Sequence, residues 1–239
     1  MSSTQAAATC SNAPQKIVCV LGMHRSGTSC LTGSMQEAGL ELGDHSTWNP
    51  HNLKGNRENQ HIVDINDAVL MANGGGWDQP VDVIQWSQDQ LNAARGLFQE
   101  YARFNYFGFK DPRTLLTLEG WQSLFPHMQY IGIFRHPMVV AQSLHNRSEL
   151  PMATGLELWL QYNRRLLRAY RKQPFPILCF DEAQDIFQEK LRNVLCDLGL
   201  DAGEGAFYEQ QLKSAQGGEG TPLPWNIRRL YRKLQRLAE

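Results

Sequence analysis

The stretch best equipped for chemistry is Gly22-Met-His-Arg-Ser-Gly-Thr-Ser29. Gly22 and Gly27 let the backbone turn tightly enough for successive N–H groups to converge on one anion. His24, Ser26, Thr28 and Ser29 line the turn, and the two hydroxyls at its end add donors. Arg25 puts a permanent positive charge inside the loop. The whole is built to hold a phosphate-like group. Two further polar clusters follow short apolar runs: Lys110-Asp-Pro-Arg113 and Arg135-His-Pro137. In an open α/β sheet, polar residues just past the carboxyl end of a strand stand where ligands bind.

Those clusters need strands to carry them, and the sequence supplies them. Ile17 to Leu21, rich in β-branched residues, reads as a strand, and Cys30 to Ala38 after the loop as a helix. Gly55 to Gln60 opens a helix reaching Met71, with Ile62, Ile65, Val69 and Leu70 facing a core and Asn73-Gly-Gly-Gly76 ending it. Ser87 caps a helix running to Phe104, ahead of a strand from Tyr106 to Phe109. Then come helix Thr117 to Leu124, strand Gln129 to Phe134, helices to Asn146 and over Thr154 to Tyr170, strand Pro176 to Phe180, and helix Glu182 to Leu198. A Gly/Pro-rich loop, Ser214 to Leu223, precedes a basic terminal helix. Asp44 to Lys54 and Trp77 to Trp86 lack a period and read as loops. Alternating strands and helices predict an α/β fold: a P-loop-like three-layer sandwich with a central parallel sheet flanked by helices.

The first loop nearly matches the nucleotide triphosphatase pattern G-x-x-x-x-G-K-[ST], but Thr28 stands where that pattern needs Lys. His24-Arg-Ser-Gly-Thr-Ser29 instead resembles the 5′-phosphosulfate loop of sulfotransferases, which use 3′-phosphoadenosine 5′-phosphosulfate (PAPS). The Arg-Ser-Gly-Thr form is similar to that of the tyrosylprotein and many bacterial members. The resemblance implies that His24, Arg25, Ser26, Gly27, Thr28 and Ser29 bind this donor. In that family an Arg ending a strand and a Ser eight residues on bind the 3′-phosphate, and Arg135 and Ser143 have that spacing. An arginine fork is a planar double donor, and Ser143 would lie two helical turns along the same face, in reach of the same anion. Lys110-Asp-Pro112 resembles the Lys-Asp-Pro of tyrosylprotein sulfotransferases. Cations near the bridging oxygen, Arg25 and Lys110, would stabilise the charge that builds there. Pro112 takes the place of the His that cytosolic members use as base. The resemblance therefore points to Glu58, at the start of the helix after the first βα unit, with His24, His45, His51, His61 and Asp44 as rivals and a plain helix-start acid as the other account of it. Cys30 stands where cytosolic members place a Trp, and their C-terminal Arg-Lys-Gly segment is missing, so the adenine contacts stay unassigned. The resemblance covers Lys16 to Gln36, Gly108 to Arg113 and Gln129 to Arg147.

Bulk properties bound the reading. The chain has 239 residues, 42% hydrophobic and 20% charged, with a formal net charge of −1. That suits one α/β domain (16–239) behind a flexible tail (1–15), and excludes disordered and membrane-spanning classes. The tail makes a poor signal peptide, and Cys10, Cys19, Cys30, Cys179 and Cys196 follow neither a zinc nor a disulfide spacing. We expect buried thiols, a cytoplasmic protein and no metal. Basic residues cluster at Arg164 to Lys172 and Arg228 to Arg236. Apolar residues at helical spacing (Leu166, Leu167 and Tyr170; Ile227, Leu230 and Leu234) make these solvated helix faces, with no specific nucleic acid and no membrane partner expected. The expected reaction is sulfuryl transfer from PAPS, without a metal, to a hydroxyl or amine of a small-molecule, carbohydrate or peptide acceptor, whose surroundings Trp48, Trp77 and Trp86 could floor. The alternatives are a P-loop small-molecule kinase, disfavoured by Thr28 and by the lack of a clear metal-binding acid at a strand end, and a non-enzymatic nucleotide- or RNA-binding module.

Overall fold

The computed structural model describes residues 13–47, 55–201 and 222–238. The predicted tail up to residue 12, Cys10, Trp48, His51 and most of the predicted 214–223 loop lie outside them. In chain order the elements are β1 (Lys16–Leu21), α1 (Thr28–Glu37), α2 (Gln60–Ala72), α3 (Gln88–Glu100), β2 (Tyr106–Lys110), α4 (Thr114–Leu124), β3 (Gln129–Phe134), α5 (Pro137–Ser148), α6 (Met152–Lys172), β4 (Ile177–Cys179), α7 (Gln184–Leu198) and α8 (Trp225–Leu237).

The strands form one parallel sheet in the order β2-β1-β3-β4. Both faces are covered, as near-continuous apolar strands require. Ile17, Cys19 and Leu21 of β1 face a core shared with α2, α3, α4, α5, α6 and α8, in which Phe98, Trp121, Trp159 and Leu166 are buried. Val18 and Val20 face the other way, onto Leu31 and Met35 of α1 and Leu191 and Leu195 of α7. This is the predicted three-layer α/β sandwich.

The order matters for function. From β1 the chain moves outward to β2, then crosses back to β3 on the other side of β1. A crevice therefore opens at the carboxyl ends around β1, where the connections diverge. Val20 pairs with Lys110, Leu21 with Gly132 and Phe134 with Cys179, so all four strands end nearly level. The polar residues that follow them share one rim.

Several boundaries differ from the sequence reading, each for a local reason. Helix α1 starts at Thr28 because Gly27, with φ of 88°, acts as its N-cap. Helix α2 starts at Gln60. Asn59 is its N-cap, the side chain accepting from the N–H groups of His61 and Ile62, and Arg57 two residues earlier takes a left-handed φ of 58°. Glu58 therefore precedes the helix instead of opening it. Helix α3 begins with the expected Ser87 cap, completed by Gln90 into a capping box, but stops at Glu100. Helix α4 begins three residues earlier than read, at Thr114, Arg113 already being helical. Helix α7 starts at Gln184 and ends at Gly199 with φ of 75°. Cys19, Cys30 and Cys179 are buried free thiols, whereas Cys196 is exposed, on the outward face of α7. Among the described residues no helix is long and apolar enough to cross a membrane.

Candidate active site

The loop after β1 has the backbone its sequence implies. Gly22 packs so tightly that a Cβ there would lie 2.6 Å from the Ile133 carbonyl oxygen, and one at Gly27 would lie 2.4 Å from the Phe180 ring. Arg25 is left-handed at φ 66° and Gly27 at 88°. A non-glycine residue held there is strained, and such strain gathers at binding loops. Left-handed residues within a turn gather N–H groups into an anion-binding concavity. No side chain caps α1, so its N-terminus adds donors and a favourable field for an anion. The Ser26 hydroxyl, fully buried, has no hydrogen-bond partner. A buried donor left idle costs roughly 1–3 kcal/mol unless something is meant to meet it.

The other two clusters converge on this loop. Lys110, the last residue of β2 and 2% exposed, donates to Glu58 Oε1 at 2.8 Å and to Ser29 Oγ at 3.2 Å. The Ser29 hydroxyl in turn donates to the Asn56 carbonyl at 3.0 Å. The loop, the strand-end lysine and the segment before α2 thus form one linked unit. On the other side, Arg25 Nε donates to Ser143 Oγ at 2.8 Å. Burial pushes the Arg25 pKa down, and repulsion from Arg147 and Arg135 pushes it further. An anion placed among these like charges would relieve their repulsion.

Arg135 is 3% exposed, its Nε bonded to Asp181 Oδ1 at 3.2 Å and its guanidinium lying 5.2 Å from the Phe180 ring centroid. Asp181 Oδ2 also accepts the His136 N–H at 2.5 Å. The sequence reading placed Ser143 beside Arg135 on one anion. In the structure the hydroxyl accepts from Arg25, and Arg135 stands near enough to Arg25 to repel its charge.

His24 points toward the α6 side. Its ring meets Trp77 edge-on at 5.0 Å and Tyr162 at 6.0 Å, and its Nε2 is sealed from solvent without a partner. Burial, followed by the charges of Arg113, Lys110, Arg147 and Arg25, holds its pKa well below the usual histidine value, so the ring is neutral at physiological pH. Of its rivals, His45 bonds the Gly43 carbonyl and Gln36, and His61 and Asp44 are exposed.

A buried network fixes the Lys110 end of the rim. Asp111 accepts from Asn66 at 2.8 Å and pairs with Arg113 at 2.9 Å, while Arg113 Nε pairs with Asp67 at 2.7 Å. Asn66 is fully used: it also donates to Thr114, and accepts from Thr117 at 2.7 Å and Trp121 at 2.9 Å. Burial raises the Asp111 pKa, and Arg113 opposes that rise.

Sequence reasoning missed Asn66, Asp181 and Arg147. Asn66 was legible as the polar residue in an apolar helical stripe, and Arg147 as the position one turn past Ser143. Asp181 stands two residues past the end of β4. It and Asp111 are the acids beside strand ends at this rim, and each is engaged by an arginine.

Among known proteins, no family model matches the chain, and no curated protein matches its sequence. Its fold does match solved structures. The sulfotransferase domain of the olefin synthase from Synechococcus PCC 7002 is 18% identical, covering 93% of this chain and 95% of that one, with a TM-score of 0.59. Sulfotransferase STF1 from Mycobacterium tuberculosis is 12% identical, covering 94% of this chain and 78% of that one, with a TM-score of 0.50. The chain has the fold of sulfotransferases, over nearly its whole length.

Proposed function

We propose that this protein is a sulfotransferase, taking a sulfuryl group from PAPS and passing it to a hydroxyl or amine of an acceptor. The observation that carries this reading is the Arg25 to Ser143 hydrogen bond, across 118 residues of sequence, inside a group of arginines that repel one another. It joins the two motifs whose resemblance to this family was read separately, and the shared fold supports it.

The residues present suit the donor. The loop His24, Arg25, Ser26, Gly27, Thr28 and Ser29 would hold its 5′-phosphosulfate, with the idle Ser26 hydroxyl and the uncapped α1 terminus as ready contacts. Arg135, steadied by Asp181, would hold the 3′-phosphate together with Ser143. When bound, PAPS supplies an activated sulfuryl group. The chain's part is electrostatic and acid–base. Arg25 and Lys110 stabilise the negative charge that develops on the departing oxygen, in a site where their positions are already fixed. Glu58 takes the proton of the attacking hydroxyl or amine. Its ion pair with Lys110 keeps the two groups at 2.8 Å, so one side chain can turn to the leaving side and the other to the acceptor.

The test is ligand-linked stability. Adenosine 3′,5′-bisphosphate should raise the melting temperature far more than AMP does. Arg135→Ala should erase most of that difference, a loss of about 1.5–3 kcal/mol for a charge-assisted contact. Equal stabilisation by the two nucleotides would remove the assignment.

A further inference from the structure

The terminal helix α8 carries a second, unrelated feature. It holds Arg228, Arg229, Arg232, Lys233 and Arg236, no Asp or Glu, and a chain-wide balance of 23 Lys and Arg against 24 Asp and Glu makes that segregation local. Its apolar residues Ile227, Leu230 and Leu234 are buried, and Tyr231 packs on Phe134, His136 and Trp159, so the helix is docked on the body and its hydrophobic face is spent. At about 100° per residue, Trp225, Arg229, Arg232 and Arg236 fall within roughly 60° of one another, directly opposite that buried face. Trp225 is 64% exposed, with the Arg229 guanidinium 5.3 Å from its ring centroid.

This arrangement works against the isolated protein. Arg228 and Arg232, Arg229 and Lys233, and Arg232 and Arg236 are like charges one turn apart, each pair unfavourable to the helix. Among the described residues none of the five cations forms an ion pair. An exposed tryptophan at the N-terminal end of the same face adds apolar surface in water. A partner that rewards both must offer dense negative charge and an apolar boundary on a surface open enough to meet a convex helix. An anionic bilayer does so: its headgroups attract cations, and tryptophan favours the interface. Strand-like polyanions are gripped in grooves and would leave the convex face with little shape match.

Against the expectation from sequence of a solvated face without a membrane partner, we propose that the Trp225 and arginine face of α8 docks this protein on anionic lipid surfaces, lying against the headgroups without crossing the bilayer. The face lies opposite the side of α8 that packs on the body, where Tyr231 meets His136, and the proposal does not depend on the reaction assigned to the loop, Lys110 and Glu58.

The experiment is flotation of the full chain with phosphatidylcholine vesicles with and without phosphatidylserine. Binding should require phosphatidylserine and fade at high salt. Each cation near such a surface contributes roughly fivefold, so Arg229→Glu, Arg232→Glu and Arg236→Glu together should weaken binding by at least about 100-fold. The melting temperature and the response to adenosine 3′,5′-bisphosphate should be retained. The corresponding three Gln substitutions serve if the Glu protein does not fold, and should weaken binding in the same direction. Brominated lipid should quench part of the tryptophan emission of the native protein and none in Trp225→Phe. No binding to phosphatidylserine vesicles at low salt, or binding that survives the Gln substitutions, overturns the proposal. So does single-stranded DNA or an acidic polysaccharide that binds through these arginines while vesicles do not.

Discussion

At the scale of single residues, charge placement decides what the site can do. Glu58 and Lys110 form one ion pair, so removing the carboxylate should separate binding from chemistry. We expect Glu58→Gln to keep the affinity for adenosine 3′,5′-bisphosphate while lowering kcat by roughly 10²–10⁴, the usual cost of losing a general base. Arg25→Ala should damage both, because a loop cation meets the donor before and during transfer. Single-turnover transfer measured beside bisphosphate affinity makes the distinction. A near-normal rate in Glu58→Gln with a dead His24→Ala would move the base to the histidine. His24 also makes a prediction about stability. Its pKa in the fold is held well below that of the unfolded chain, so over the interval between the two values the unfolded chain binds a proton that the native one refuses. Stability is therefore full above the unfolded value and falls as the pH drops through and below about 6.5, the unfolded histidine value. Asp111, with its raised pKa, works in the opposite direction. Subtracting the melting curve of His24→Gln isolates the histidine: the variant should lose less stability on acidification than the native chain, and an unchanged pH slope would contradict the buried, neutral ring.

At the scale of elements, the loop between β1 and α1 works because two glycines permit what no other residue would. Gly27 is both left-handed and pressed against the Phe180 ring, which follows β4. Gly27→Ala must move either the loop or that ring, and the ring lies under the Arg135 guanidinium. The expected cost is about 1–3 kcal/mol of stability, from backbone strain and overpacking together. Because the shift reaches both the loop and Arg135, the bisphosphate should stabilise the variant much less than it does the native protein. Chemical unfolding with and without the nucleotide reads both effects. If Gly27→Ala is as stable as the native chain, the contact with Phe180 is not close enough to constrain the loop.

Across the whole molecule, the sheet order converts distance in sequence into proximity at one rim. The chain leaves β1 for β2 and returns past it to β3, so the loop, Lys110 and Arg135 come from the ends of adjacent strands. Likeness to sulfotransferases of known structure extends over nearly the full length, yet at 18% identity or less it is a likeness of fold. One fold hosts many chemistries, so it is the side chains at the rim that favour sulfuryl transfer. Chief among them is Thr28, standing where a nucleotide triphosphatase would place its lysine, with Arg25 inside the loop as the cation in its stead.

The sequence by itself determined the layers and the residue types. Apolar runs of strand length, glycines at 22 and 27, the Ser87 cap and the polar clusters at 110 and 135 are local signals, and local signals survive in sequence because each depends on neighbours a few residues away. The tertiary structure decided the partnerships. That Lys110 holds Glu58, that Ser143 serves Arg25, that Asp181 steadies Arg135 and that Asn66 joins Asp111 to Trp121 are contacts across 45 to 118 residues of chain. No periodicity records them. The start of α2 shows the limit most plainly: Glu58 reads as a helix residue until Asn59 caps the helix and Lys110, on a strand 52 positions away, claims its carboxylate.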